Sequence, residues 1–447
     1  MCLRRFYAYH SAMIGYTTEE PIYALATPFS PSALAVIRTS GKEAISLFGK
    51  VFKGRVKDRP SGTAVHGWIL DKKREKVDEV VALVYTHGHG YTGEEAVEIM
   101  CHGSLPVIRK ISTTLEEAGF RLALKGEFTY RAFLGGRMDL TEAEAVEELV
   151  SAKGEKGRKD ALSRLSGSIR QEAEKAKTEI VDILASLEVQ LDYGEDDIPE
   201  EWVFPSERVD AIMERLEKIR RTYASSRLYS QGAKVVLAGS TNAGKSSLFN
   251  ALLKENRAIV SSVAGTTRDY IETQCEMKGI PVRLFDTAGL RLSGDEIEKE
   301  GILRSKELMD DADLVVYVIA PGEEEPKEKL ANAIYVHSKS DIAPGEGISF
   351  SSVTGEGLDR VVEAIVGYLS RESAVTSDVP VIESERQERK LGETIDALRD
   401  AEKAKECSVD IIALYFQAAL SALSELTGET TSDDILEVLF SSFCLGK

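Results

Sequence analysis

The stretch KVVLAGSTNAGKSSLFNALL, residues 234–253, leaves this chain little freedom in how it folds. An apolar strand runs into a glycine-containing turn, and a helix follows at once. Gly239 and Gly244 allow a backbone turn whose N–H groups converge on an anion at a helix N-terminus. At this spacing Lys245 supplies a point charge for the β- and γ-phosphates of a nucleotide, and Ser246 a hydroxyl for Mg²⁺. Asn242, Ala243 and Ser247 complete the lining of that loop. A chance glycine loop would lack the strand before it and the helix after it.

Around this motif the chain changes character three times. From about residue 20 to 138, β-rich runs (LAVIR, VVALVY, AVEIMCH) mix with turns and one or two helices. A helical regime follows, in which Ile180, Leu184, Leu187 and Leu191 share one helix face. The acidic turn YGEDDIPEE (193–201) interrupts it, and another helix is predicted from near Pro205. Beyond Gly232 the short strands KVVLAG, VRLFD, DLVVYVI and NAIYVHS alternate with helical stretches, which is the pattern of an α/β fold. Helix resumes near residue 383. The expected organisation is therefore 19–138, a helical part at 139–230, an α/β insertion at 231–371, and a second helical part at 372–447. The two helical parts are expected to form one bundle, since domains whose termini lie close together tolerate insertions.

Net charge is −18, which opposes nonspecific adhesion to nucleic acid. An RNA substrate would need a local basic face or a partner. Two candidates are Lys153, Lys156, Arg158 and Lys159, then Arg215, Lys218, Arg220 and Arg221, although solvated helix faces are the better reading of both. Five scattered cysteines point to reduced thiols in a cytoplasm. The first residues lack the apolar core of a secretory leader, and no uninterrupted apolar run suggests a membrane span.

Two further segments extend the phosphate loop into a GTPase set. VAGTTRD (263–269) offers Thr267 as a second Mg²⁺ ligand, and LFDTAG (284–289) places Asp286, Thr287, Ala288 and Gly289 beside the metal and the γ-phosphate. VHSKSD (336–341) should read the base. Asp341 can accept two hydrogen bonds from guanine, whereas adenine would leave it unpaired. Ser338 stands where such pockets carry asparagine, followed by Lys339. Losing that amide costs about 1 kcal/mol, less than the charge-assisted pair at Asp341 contributes. Ser351, Ser352 and Val353, in SSVTGEG, can close over the base. The expectation is GTP, bound more weakly than usual.

Leu290 follows the DTAG tetrad and cannot orient water, so another group must, and the acidic run GDEIEKEG (294–301) holds candidates. Asn242 either holds a monovalent cation beside the phosphates or caps its own backbone; spacing alone leaves both open.

Together, VIRTSG (36–41), YTGEEAVEIMCHG (91–103), KGEFTYRAFLGGRMDLTEAEAV (125–146), the phosphate loop, SVAGTTRD (262–269), DTAGLR (286–291) and the terminal TGETTSDDILEVLFSSFCLGK (427–447) resemble the MnmE (TrmE) family of tRNA modification GTPases from about residue 20 onward. The resemblance implies an N-terminal α+β folate-binding domain, a helical domain and an inserted Ras-like P-loop G domain. It implies a homodimer whose G domains meet, with K⁺ held by Asn242, the carbonyls of Ser261 and Val263, and Thr266; Ser262, Ala264 and Gly265 lie in the same loop. Glu298 matches the family's water-orienting glutamate. Arg38, Glu98 and Arg137 match folate-contacting positions, with Lys447 near them, although TPFSPS (27–32) lacks the family's glycines and Arg137 replaces a lysine. Cys444 is either a nucleophile or a small buried hydrophobe. The implied reaction adds a carboxymethylaminomethyl or aminomethyl group to C5 of a wobble uridine. It uses a 5-formyl- or methylene-tetrahydrofolate carrier and an FAD-dependent partner, MnmG (GidA), in a heterotetramer. Two other readings are a GTP-dependent ribosome or RNA assembly switch without one-carbon chemistry, and an aminomethyltransferase with a passive G domain.

Overall fold

The computed structural model describes residue 16 and residues 18–192, 202–255, 271–286, 306–326, 329–343, 345–370 and 379–446. Two compact units divide the chain: 1–147 with 170–182 and 417–447, and 148–169 with 183–416. The residues expected to form one helical bundle are thus shared between both units.

The first unit is built on a seven-stranded sheet. Its strands are β1 Ile22–Leu25, β2 Leu34–Ser40, β3 Phe52–Lys53, β4 Thr63–Leu70, β5 Lys76–Tyr85, β6 Ala96–His102 and β7 Arg121–Leu122, in the order β3-β4-β5-β6-β2-β1-β7. Strict alternation separates its faces. Val97, Ile99 and Cys101 are buried, whereas Glu98, Met100 and His102 are not. The buried face packs on the helices Ala44–Val51 and Leu105–Ala118 through Phe48, Ile108, Ile111 and Leu115. Each such side chain contributes about 1.5–3 kcal/mol by leaving water. In the same unit, the helix Asp433–Ser441 docks by aromatic contact. Phe440 meets Tyr130 edge-on with ring centroids 5.4 Å apart, and Phe443 lies 5.5 Å from Phe440.

The second unit holds a six-stranded sheet of β8 Ala233–Gly239, β9 Ile271–Met277, β10 Ile280–Asp286, β11 Leu314–Ile319, β12 Ala333–His337 and β13 Ile348–Ser349, ordered β13-β12-β11-β8-β10-β9. All neighbours are parallel except β9, which folds back antiparallel on β10. The sequence pattern missed β9 because IETQCEM carries polar residues suited to an edge strand. The helices Lys245–Glu255 and Leu358–Leu369 cover one face through Leu248, Leu252, Val361 and Ile365. Val236, Phe285 and Val315 form a smaller cluster elsewhere. Also in this unit, Val209, Ile212, Leu216 and Ile219 of the helix Ser206–Arg220 are buried, as are Leu391, Ile395 and Leu398 of Glu385–Lys403, which packs against it.

The amphipathic stripe read around residue 180 lies on the helix Ser168–Asp192, where Ile180, Leu184 and Leu187 are buried; the side chain of Leu191 is outside the described set. The helix Val409–Thr427, although interrupted by Asp410, Gln417 and Glu425, is long and apolar enough, by length and composition, to cross a membrane. Its apolarity has an internal use, because Ile412, Phe416, Ala419, Leu423 and Leu426 are buried.

Candidate functional site

β8 lies inside its sheet between β11 and β10, so the loop at its C-terminal end sits at a fixed point. Gly239 closes the strand at φ +133°, where a Cβ would stand 2.2 Å from the Val318 carbonyl oxygen. Only glycine fits there. Gly244, at φ +99°, starts the following helix with the Ser338 Cβ 3.5 Å from where its own would be. Lys245 is buried, and its Nζ donates to the carbonyls of Gly239 (2.9 Å) and Ser240 (2.6 Å), folded over the loop it serves. Ser246 Oγ donates to Asp286 Oδ2 at 2.6 Å. That hydroxyl–carboxylate pair, contributed by a helix start and by the end of β10, is an all-oxygen donor set suited to Mg²⁺ and its waters.

Asn242 has φ +62°, and its carbonyl accepts from Lys339 Nζ at 3.1 Å. Its side-chain amide makes no hydrogen bond among the described residues, so the capping alternative has no partner there. Ala243 is fully buried beneath the loop. Glu323 is a neighbour the sequence reading missed. It accepts from Ser240 Oγ at 2.6 Å and from the Ala320 N–H at 3.2 Å, tying the shortened segment after β11 to the phosphate loop.

At the base pocket, Ser338 is buried, and both its N–H (2.9 Å) and its Oγ (3.2 Å) donate to the Ile319 carbonyl. Its hydroxyl therefore does not stand in for the missing amide. Lys339 adopts φ +56°, Asp341 is exposed, and the Ser340 N–H donates to the Phe350 carbonyl, holding this loop beside residues 351–353. Ser351 is buried and its Oγ accepts from the N–H groups of Val353 and Thr354, both at 3.2 Å; Ser352 and Val353 are exposed. Ser247, one turn into the helix, is exposed. Ser261, Ser262, Val263, Ala264, Gly265, Thr266, Thr267, Thr287, Ala288, Gly289, Glu298 and Lys447 lie outside the described residues.

A second constellation forms on the first unit's sheet. Arg38 on β2 and Glu98 on β6 are register partners, joined Nε to Oε1 at 2.9 Å. The Arg38 guanidinium lies 5.0 Å from the centre of the Tyr91 ring, and its Nη1 donates to the Gly446 carbonyl at 3.4 Å. Gly446, at φ +91°, lets the tail lie against β1, since a Cβ would stand 2.7 Å from the Leu25 carbonyl oxygen. Cys444, two residues earlier, is exposed, which sets aside the reading of it as a small buried hydrophobe. Arg137 donates to the carbonyls of Gly88 (3.4 Å) and Gly90 (3.3 Å), on the loop that carries Tyr91. Arg38, Glu98 and the chain's end therefore meet at one place, and Arg137 fastens the loop beside it. Burial raises the pKa of Tyr91, whose hydroxyl is paired with Thr129 Oγ1 at 2.8 Å.

A family profile described as the MnmE helical domain matches residues 140–444, and one described as the GTP-binding protein TrmE N-terminus matches 21–137. A tRNA modification GTPase MnmE of Treponema denticola is 39% identical, covering 97% of this chain and 99% of that protein. One from Aquifex aeolicus is 38% identical over 96% of this chain and all of its own length. The chain belongs to the MnmE family of tRNA modification GTPases. The G domain of the T. maritima FeoB iron transporter matches 30% of this chain and 98% of its own at 31% identity, with a TM-score of 0.23 that carries no weight for the fold.

Membership in the MnmE family makes this chain a GTP-hydrolysing enzyme, which agrees with the built phosphate loop. In this MnmE-family chain the helix faces named as RNA candidates are largely neutralised. Arg158 pairs with Glu155, Lys218 with Glu214, Arg220 with Glu388 and Arg221 with Glu217. His87 and His89 sit in a turn, and no cluster of three metal-ligating side chains occurs among the described residues. Tyr91 and Glu323 carried no spacing signal: a loop that folds back brings Tyr91 against Arg38, and a shortened connection brings Glu323 against the phosphate loop.

Proposed function

We propose that this enzyme modifies C5 of the wobble uridine of certain tRNAs, adding a carboxymethylaminomethyl or aminomethyl group, and that GTP hydrolysis drives that cycle. The supporting observation is the Arg38–Glu98 pair with the Gly446 carbonyl on it, because an assembly switch without one-carbon chemistry has no use for such a site. Arg38, Glu98, Arg137 and the terminal Lys447 would hold a tetrahydrofolate derivative. The carboxylate accepts from pterin N–H groups, and the cations pair with the glutamate tail. The folate supplies the one-carbon unit. Cys444 is close in sequence to this pocket and exposed, which suits a nucleophilic role.

In the G domain, Ser246 and Thr267 would hold Mg²⁺, with Asp286 behind it. Asn242, Ser261, Val263 and Thr266 would hold K⁺; the Asn242 amide, which has no hydrogen-bond partner among the described residues, fits that role. Glu298 orients water and Asp341 reads guanine. The domain division at 19–138, 139–230, 231–371 and 372–447, the homodimer, the heterotetramer with the FAD-binding MnmG partner, and a cytoplasmic setting belong to the same reading. The test is the nucleoside profile of tRNA from a strain lacking the gene, by mass spectrometry. Loss of the modified wobble uridine, restored by the wild-type chain but not by Arg38→Met, is expected; an unchanged profile refutes the assignment.

A further inference from the structure

A chain of net charge −18 that acts on tRNA needs a surface of its own that attracts phosphate, or a partner that supplies one. The paired helix faces do not supply it. A different surface does. Residues 50–59, KVFKGRVKDR, carry Lys50, Lys53, Arg55, Lys57 and Arg59 against a single carboxylate, Asp58. All five cations are exposed, and none is paired with a carboxylate among the described residues. The β4–β5 turn and the first residue of β5 add Lys72, Lys73, Arg74 and Lys76 against Asp71 and Glu75; among the described residues Lys72 alone of these cations is bridged, to Glu117 at 3.5 Å.

The two stretches are fastened together. Arg74 Nη1 donates to the Lys50 carbonyl at 3.1 Å, and β3 pairs with β4 so that Lys53 stands opposite Trp68. Lys76 Nζ lies 3.8 Å from the centre of the Trp68 ring. Beside Lys50, Arg55 and Lys57 is an open hollow of about 510 Å³. Register fixes which way Lys53 faces, while Lys50 lies in the last turn of the helix that covers the other face. Ala64 stands opposite Leu83, Leu83 opposite Glu98, and Glu98 opposite Arg38. Ala64 and Trp68 share a face because strand side chains alternate with period two. Lys53 is therefore on the same face as Arg38 and Glu98. With strands about 4.8 Å apart, β3 lies roughly 14 Å from β6, within reach of one bound nucleic acid. A lone lysine on an edge strand discourages sheet pairing. Here the cations continue through residues 54–59, beyond the ladder, where there is no edge to protect.

We propose that the β3 edge and the β4–β5 turn form the docking surface for the phosphate backbone of the tRNA. The proposal rests on the tRNA reading above. The experiment measures binding of labelled tRNA to the full-length protein by fluorescence anisotropy over a series of KCl concentrations. Lys53→Ala/Arg55→Ala/Lys57→Ala is compared with the control Lys159→Ala/Lys218→Ala/Arg221→Ala, which removes paired charges. At about 100 mM salt the patch variant should bind roughly tenfold more weakly, and its slope of log K against log salt should shrink by about 2–3, one phosphate contact per cation. GTP hydrolysis, the unfolding temperature and the control variant's affinity should match wild type. A patch variant with wild-type affinity and slope overturns the surface and leaves the tRNA reading standing. A control that weakens binding as much overturns the surface as well. So does a wild-type chain that binds no tRNA, and the nucleoside profile then decides the tRNA reading separately.

Discussion

Removing one buried cation tests how the second unit is held together. Arg164, at the end of the helix Glu155–Leu165, is fully buried. Its Nε donates to Glu148 at 2.7 Å, its Nη1 to the Val381 carbonyl at 2.9 Å, and its Nη2 to Glu383. The same returning segment is fixed by the Ile382 N–H donating to Thr222 Oγ1 at 3.0 Å. The carboxylates of Glu148 and Glu383 are only 10% and 12% exposed, so Arg164→Met takes away the cation that both share. Breaking a buried pair in this way costs about 3–5 kcal/mol, mostly from the charge left behind. The protein has two tryptophans, so Trp68→Phe leaves Trp202 as a probe of the second unit. With a guanidinium slope of roughly 5 kcal/mol per molar, the midpoint followed by Trp202 fluorescence should fall by about 0.6–1 M. Adding Glu148→Gln and Glu383→Gln should recover most of that loss. A shift below about 0.1 M for the single variant would refute the reasoning. A triple variant no more stable than the single one would show that packing, not uncompensated charge, dominates.

Three shorter predictions follow from the same geometry. GTP hydrolysis should run several-fold faster in KCl than in NaCl of equal ionic strength, and Asn242→Ala should erase that difference in a phosphate-release assay; equal wild-type rates in both salts remove the cation mechanism. Ser338→Asn should tighten GTP by about 1 kcal/mol, roughly fivefold, by restoring one neutral hydrogen bond; an unchanged affinity by titration calorimetry would mean that the buried site beside Gly244 cannot seat the amide. Asp139 caps the helix Leu140–Ser151, its Oδ1 accepting from the Glu142 N–H at 2.8 Å while Glu142 Oε2 accepts from the Asp139 N–H at 2.9 Å. Burial pushes its pKa from 3.8 up to about 6. A raised carboxyl pKa gives stability that is complete below pH 4 and lost as pH rises through 6, a change on the order of 3 kcal/mol. Asp139→Asn should flatten that portion of the unfolding profile, and an unaltered slope between pH 4 and 6 would count against the buried carboxyl.

The nucleotide loop was legible because its information is local. Glycines at Gly239 and Gly244 set backbone torsions, Lys245 and Ser246 follow at fixed spacing, and the apolar β8 run places the turn inside its sheet. The same locality let the pattern around Ile180 forecast a buried helix face. Which charges stay free was not legible. Arg158, Lys218 and Arg221 look basic along the chain, yet each finds a glutamate one helical turn away, and Arg220 finds Glu388 on another helix. The Arg38 partner Gly446 lies 408 residues along the chain, and the Arg164 partner Glu383 lies 219. Sequence alone determined the local torsions and the motif chemistry, because both depend on neighbours a few residues apart. Only the tertiary structure decided charge neutralisation, sheet face and register, because those depend on groups that meet solely after folding.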